Sequence, residues 1–187
     1  MNTRLFLLIV GSAFSFAAAA SSYTLDPRQT FPSLHITQLG MAIPLGRFNQ
    51  TSGTMQLDLN AATGRIQLSI NSASISTGIA SLETHLRSPA LLDAEHYPTI
   101  TFVSDKLSFN KQQVVAADGH LTLHGITKPV HVEVQDFHCG PNPVTLKHTC
   151  DANATLRINR SDFGIANYVP IIADQTQIAV RLSAIQD

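Results

Sequence analysis

The stretch Gly119-His120-Leu121-Thr122-Leu123-His124-Gly125-Ile126-Thr127-Lys128-Pro129-Val130-His131-Val132-Glu133-Val134 reads as a β-hairpin. Side chains on a strand alternate between two faces, so Leu121 and Leu123 share one face while Thr122 and His124 take the other. Gly125 relaxes the backbone at the turn. Pro129, which has no amide to give a ladder, is expected to open the return strand. That strand alternates cleanly, with Val130, Val132 and Val134 set against His131, Glu133 and Gln135. The hairpin therefore carries one apolar face, and the remainder of the chain has to cover it.

Working outward, the same period recurs. Leu34 and Ile36 share a face in an opening strand, and Pro32 and Pro44 predict bends or bulges in that strand. Residues 48–59 read as one strand with Met55, Leu57 and Leu59 on a common face, and residues 65–70 as its partner across the turn Ala61-Ala62-Thr63-Gly64. Residues 99–104, 107–109 and 113–117 follow as separate short strands. Residues 152–158 and 175–184 complete the set, the last with Ile178, Val180, Leu182 and Ala184 together. One helical interlude falls between Ile79 and Tyr97, where Leu82 and Leu86 stand four apart. Pro89, with Ser88 as a cap, either stops that helix or starts a second short one. Many short strands, one helical insert and no α/β alternation define an all-β, antiparallel barrel or sandwich.

Composition bounds what such a domain does. The chain has 187 residues, enough for one domain. Its net charge is −1 with no basic block, so nothing draws it to nucleic acid or to anionic lipid. Charged residues make up 13%, against a typical figure of about 25%, so the chain either buries much of itself or lines an interior with apolar groups. Residues 1–20 read as a secretory signal peptide. Arg4 supplies the positive start, an apolar run follows, and Ala18-Ala19-Ala20 forms a small-residue cleavage site. The run is too short to span a bilayer, and no later run approaches that length. Residues 21–187 then form the exported domain. In that setting Cys139 and Cys150 are expected to pair as a structural disulfide; a redox-active pair would need closer spacing.

Two motifs carry a family resemblance. Leu121-Thr122-Leu123-His124-Gly125-Ile126-Thr127-Lys128-Pro129-Val130 and, further on, Arg160-Ser161-Asp162-Phe163-Gly164-Ile165 resemble the two signatures of the YceI-like family. The resemblance implies a single antiparallel lipocalin-like barrel of about eight strands with a short helical insert at one end. It also implies a bacterial, periplasmic, polyisoprenoid-binding protein. The chain departs from the family pattern at Gln29 and Gln38, where histidines are common, at Pro32 and Pro44, and at Leu82, where an arginine is frequent. Dimerisation occurs among relatives, and a homodimer stays open here.

Other motifs resolve to plainer roles. His120 and His124 lie about 13 Å apart along a strand at ~3.3 Å per residue, too far to share one ion, so the eight histidines are expected to face solvent and no metal is expected. Asp162-Phe163-Gly164 spells a kinase motif without any of its partners. Serine nucleophiles lack a G-x-S-x-G elbow, and no enzymatic activity is expected. The sequons at Asn49, Asn153 and Asn159 mean little in a bacterium. Arg160 is expected to hold a loop through a carboxylate such as Asp162 or Asp174, with a place at a cavity mouth as the alternative.

What remains is the inward apolar set. A polyprenyl tail offers almost no hydrogen bonds, so its receptor needs an apolar tunnel. The expected ligand-binding residues are Leu34, Ile36, Leu57, Leu68, Ile70, Phe102, Leu121, Leu123, Val132, Val134, Ile178 and Val180. The expected ligand is a long-chain isoprenoid of prenyl diphosphate or quinone type, with no cofactor, no nucleic acid and no membrane span after cleavage. A fatty acid or fatty amide carrier, and a packed barrel serving as an interaction module for a membrane partner, are the alternatives.

Overall fold

The computed structural model describes residues 20–38, 41–143 and 146–187. Residues 1–19, nearly all of the expected signal peptide, lie outside the described residues. The strands are β1 (Ser21–Leu25), β2 (Phe31–Gln38), β3 (Met41–Phe48), β4 (Thr51–Asp58), β5 (Thr63–Asn71) and β6 (Ile75–Ser76). The helix α1 (Ala80–Arg87) comes next. Then follow β7 (Thr99–Asn110), β8 (Gln113–Leu123), β9 (Ile126–Pro141), β10 (His148–Asn159) and β11 (Gln175–Gln186). No helix among the described residues is long and apolar enough to cross a membrane.

The hairpin forms as its alternation dictates, between β8 and β9. His124 and Gly125 make the turn with φ of 52° and 72°, the primed geometry whose twist suits paired strands. Pro129 does not open the return strand, which begins at Ile126. It stands opposite His120 within the ladder, at a position whose amide would point away from β8. Pairing of β9 with β10 starts only at Glu133, so on that side Pro129 faces an open edge and no hydrogen bond is lost.

Eight strands close into an antiparallel barrel in the order β1, β4, β5, β7, β8, β9, β10, β11 and back to β1. Closure is achieved by an end-to-end arrangement along β11. Residues Tyr23 to Leu25 of β1 pair with Ala184 to Gln186, and β2 pairs with the segment from Thr176 to Arg181. β2 then leads β3 and β6 away from the closed wall, and α1 follows β6 directly. The bulge expected of the prolines falls beside Pro44 and on β3, not in the opening strand: between His35↔Pro44 and Leu34↔Gly46 the register slips, leaving Leu45 as the bulged residue, while Pro32 pairs with Val180 in an unshifted ladder.

The break between β1 and β2 is built by Asp26. Its buried carboxylate accepts the amide of Arg28 at 3.0 Å and the Arg28 guanidinium at 3.0 Å, while its own amide donates to Ser183 O at 2.8 Å. The hydrogen bonds from Arg28 hold the Asp26 carboxyl below the ordinary aspartate range against the opposing effect of burial. A group whose folded pKa is depressed contributes stability above its unfolded pKa, near about 3.9, and loses it as pH falls through the folded value. Asp26→Asn is therefore expected to flatten that acid-side loss and to weaken the fold at neutral pH by about 1–2 kcal/mol, a modest figure because Arg28 is solvent-exposed. Denaturant midpoints of both proteins at pH 7 and pH 3 check this.

Three sequence expectations about the bounds of elements are corrected. Residues 48–59 are not one strand: Phe48 ends β3, whose partners are β2 and β6, and Thr51 begins β4, whose partners are β1 and β5. The corner between them is held by the amides of Asn49 and Gln50, which donate to Ser74 O and Ser74 Oγ at 3.1 Å each. Residues 99–104 and 107–109 belong to the single strand β7, bulged at Asp105, and residues 113–117 run unbroken into β8. Ser88 caps the C-terminal end of α1, its amide and hydroxyl both donating to His85 O, and residues 89–96 form turns rather than a second helix.

Cys139 and Cys150 are directly opposed on β9 and β10 and form the expected disulfide. A further bulge lies nearby, at Asp136, whose φ of 54° is accompanied by a hydrogen bond from Asn153 Nδ2 at 3.0 Å. It shifts the inward phase of β9 by one residue, so Phe137 rather than Asp136 continues the face of Val132 and Val134.

Candidate functional site

Strands that close a barrel send alternate residues inward, and whether they meet decides between a core and a container. Here they do not meet along most of the axis. The barrel holds a cavity of about 450 Å³, lined by residues from β2 to β5 and from β7 to β11, by α1, and by the segment around Tyr168. All but four of the lining residues are apolar; the exceptions are His85, Arg160, Tyr168 and Thr176. Below the cavity, Tyr23, Leu25, Leu57, Leu107 and Ala184 pack the end where β1 bridges β4 and β11. One end is solid and the other hollow.

Of the residues expected to bind ligand, Leu34, Ile36, Leu68, Ile70, Phe102, Leu121, Leu123, Val132, Val134, Ile178 and Val180 all stand on the cavity wall. Leu57 does not. It shares its strand face with Met55, which does line the cavity, but lies one strand repeat deeper, against Gly64 and Leu107. Alternation reports the face of a residue and not its depth.

The other end is roofed by α1 and by residues 164–174. Leu82 and Leu86, the apolar pair expected to share a helical face, both point into the cavity. Ile79 stands at the N-cap without a side-chain cap bond. The approach to α1 is held instead by the Glu83 carboxylate, which accepts the amides of Thr77 at 2.8 Å and Gly78 at 3.1 Å. Those amides, Thr77 foremost, keep the Glu83 carboxyl below its ordinary pKa.

Arg160 holds the roof. Its buried guanidinium donates from Nε to Ala173 O (3.2 Å), from Nη1 to Ile165 O (3.0 Å) and Asn167 O (2.7 Å), and from Nη2 to Ile172 O (3.1 Å). Arg160 holds a loop, as expected, but through carbonyls rather than a carboxylate. The Asp174 carboxylate instead accepts the amide (2.9 Å) and hydroxyl (2.6 Å) of Ser161, which together with the nearby Arg160 charge lower its pKa. The roof is tied to α1 by Tyr168 Oη and His85 Nε2 at 3.0 Å and by Asn167 Nδ2 donating to Ala90 O at 2.5 Å.

The two sequence signatures meet at this end. The His124 ring packs on Tyr97 with centroids 4.6 Å apart, Gly125 leaves room for the same Tyr97 ring, and Gly164, at φ 76°, abuts His124 Nδ1. A side chain at Gly125 would strike Tyr97 and would also be strained at that φ of 72°. Their shared task is to fix the roof on the barrel; only Leu121, Leu123, Arg160 and Ile165 of the two motifs reach the cavity. The strand histidines behave differently. His120 and His131 pair on the outer surface with Asp105 (2.7 Å) and Asp118 (2.6 Å). Among the described residues no group of three or more His, Cys, Asp or Glu gathers to hold a metal.

Sequence reading missed part of the wall. Ala152, Ala154, Leu156 and Ile158 line it, and their alternation on β10 was available as a signal. His85, Tyr168 and Ile172 had none, because they reach the cavity only through the tertiary fold.

An eight-stranded antiparallel barrel, solid at one end and enclosing an apolar void roofed by a short helix at the other, is the architecture of lipocalin-like barrel proteins. The chain belongs to the YceI-like family: the YceI-like domain model matches residues 23–184. A UPF0312 protein of Vibrio cholerae is 31% identical over 166 residues, covering 85% of this chain and 87% of the relative. A UPF0312 protein of Pseudomonas aeruginosa is 30% identical, covering 100% of this chain and 99% of the relative. Among solved structures, BcnA of Burkholderia cenocepacia superposes with a TM-score of 0.69 at 26% identity, over 85% of this chain and 98% of that one. A polyisoprenoid binding domain from Saccharophagus degradans, implicated in plant cell wall breakdown, superposes with a TM-score of 0.64 at 16% identity, over 89% and 99%.

Proposed function

We propose that this protein binds, carries or stores a long-chain isoprenoid lipid in the bacterial periplasm and catalyses no reaction on it. The observation that carries the reading is the void itself: about 450 Å³, walled by apolar side chains from nine strands and a helix. A flexible hydrocarbon chain gains on the order of 0.8 kcal/mol for each methylene moved out of water, so the wall needs no hydrogen bonds to hold it. The polyisoprenoid binding of the Saccharophagus degradans domain supports the choice of ligand class. The signal-peptide pattern of residues 1–20 and the Cys139–Cys150 disulfide support an oxidising, exported setting. Four N–H groups of Arg160 are committed to roof carbonyls, out of the five a guanidinium has. The polar groups left on the wall are an imidazole, a phenol and a hydroxyl, which suit a neutral quinone-type head better than a diphosphate.

Lipid extraction from natively purified protein followed by mass spectrometry is expected to yield a polyprenyl species. In competition, an octaprenyl probe is expected to displace a fatty acyl probe. A protein that emerges ligand-free and ignores added prenyl lipids overturns the reading. Preference for the fatty acyl probe would identify a fatty acid carrier instead.

A further inference from the structure

The roof of the cavity exposes more apolar surface than a soluble fold needs. Ile171 is 91% exposed, and Tyr168, Val169 and Ile172 beside it are 46%, 37% and 40% exposed. Tyr168 and Ile172 have a second face on the cavity wall, so the apolar lining continues outward through them to the surface. Between residues 166 and 173 there is no charged residue.

The helix that the roof is tied to shows the same feature. At the N-cap of α1, where Ser, Thr, Asp or Asn would satisfy a free amide, stands Ile79, 57% exposed and making no cap bond. It lies one turn before Leu82, so it extends the helical stripe that enters the cavity. Tyr168 meanwhile keeps a φ of 68°, a conformation a bulky aromatic rarely adopts, with its ring bridging roof and helix. Low exposure and relaxed backbone are forgone in the roof segment, and good capping at the start of the helix it is tied to.

We infer that this uncharged apolar lip docks the protein on the surface of a lipid bilayer, so that a ligand passes between membrane and cavity without crossing water. The inference rests on the lipid-binding reading, since a molecule insoluble in water has to be collected from a membrane. An uncharged rim of isoleucine and valine with one tyrosine matches the boundary of headgroup and acyl chain, where amphipathic rings settle, and offers nothing to a charged protein partner. The net charge of −1 supplies no attraction to anionic lipid, so docking is expected on neutral bilayers as well.

The test uses Ile171→Asp, a side chain outside the cavity wall, and Ile79→Asp, which places a good capping residue on the helix. Flotation with phosphatidylcholine vesicles is expected to fall roughly tenfold for Ile171→Asp, as one inserted aliphatic side chain is lost. Transfer of a fluorescent polyisoprenoid from vesicles is expected to slow in parallel for both variants. Binding of the same probe delivered from ethanol is expected to stay at the wild-type level. Equal flotation of wild type and both variants overturns the docking surface and leaves the cavity reading intact. Wild-type flotation without any probe uptake from ethanol removes the cavity reading while the docking surface stands. Self-association that Ile171→Asp abolishes, with no vesicle binding by the wild type, overturns the proposal in favour of a second copy of the chain.

Discussion

Ala154→Trp is expected to abolish lipid uptake while leaving the fold as stable as before, or more so. Ala154 lies midway along β10, opposite Val134 on β9 and Val180 on β11, and all three line the cavity. In a close-packed core an added indole forces neighbours off their rotamers and costs about 1–3 kcal/mol or more. Here the ring enters a void of about 450 Å³ and gains contact with side chains that otherwise face empty space. The same ring occupies the path of the ligand chain. Displacing four or five methylene-sized groups forfeits about 3–4 kcal/mol of transfer free energy, or a few hundred-fold in affinity. Titration with a fluorescent polyisoprenoid and thermal denaturation of the apo protein measure the two effects separately. A variant that unfolds early would mean that the barrel is packed solid around residue 154. One that binds lipid normally would mean that the chain lies elsewhere.

How much of this was legible beforehand depends on which physical signal each residue sends. The period of two survives in any strand with one buried face, so Leu121 with Leu123, Val132 with Val134 and Ile178 with Val180 could be grouped on common faces from spacing alone, and the motif resemblance supplied the closed barrel that turns such faces inward. Depth sends no such signal: Met55 and Leu57 share a face, yet only Met55 reaches the void. Bulges break the period without marking themselves. Nothing local distinguishes Asp136 from any strand residue, and after it Phe137 takes the inward phase. The corner at Asn49 and Gln50 was equally silent, because it is defined by a change of partners that lie far off in sequence. The roof was the least legible part. Its contact between His85 and Tyr168 spans 83 residues and belongs to no repeat.

Arg160→Leu is expected to destabilise the protein by about 3 kcal/mol and to free the roof over the cavity. The guanidinium is the common donor to four carbonyls, those of Ile165, Asn167, Ile172 and Ala173, and among the described residues no other side chain bonds to any of them. Without it the segment must either bury unpaired carbonyls or swing out to hydrate them, and the second course is cheaper because much of the loop is already exposed. For a domain of this size the loss corresponds to a fall in Tm of about 6–12 °C. Hydrogen exchange is expected to accelerate across residues 164–174 while the barrel strands stay protected. Arg160→Lys separates charge from geometry. A lysine restores the positive charge but presents three donors from one point, which cannot reach carbonyls arranged around a planar fork, so it is expected to recover little of the stability. Asp174→Ala gives the matching contrast. It releases only the amide and hydroxyl of Ser161, both at the surface, and is expected to leave the roof in place. The lipid should then leave the Arg160→Leu protein faster than wild type, because Tyr168 and Ile172 reach the cavity only while the loop that carries them is held down.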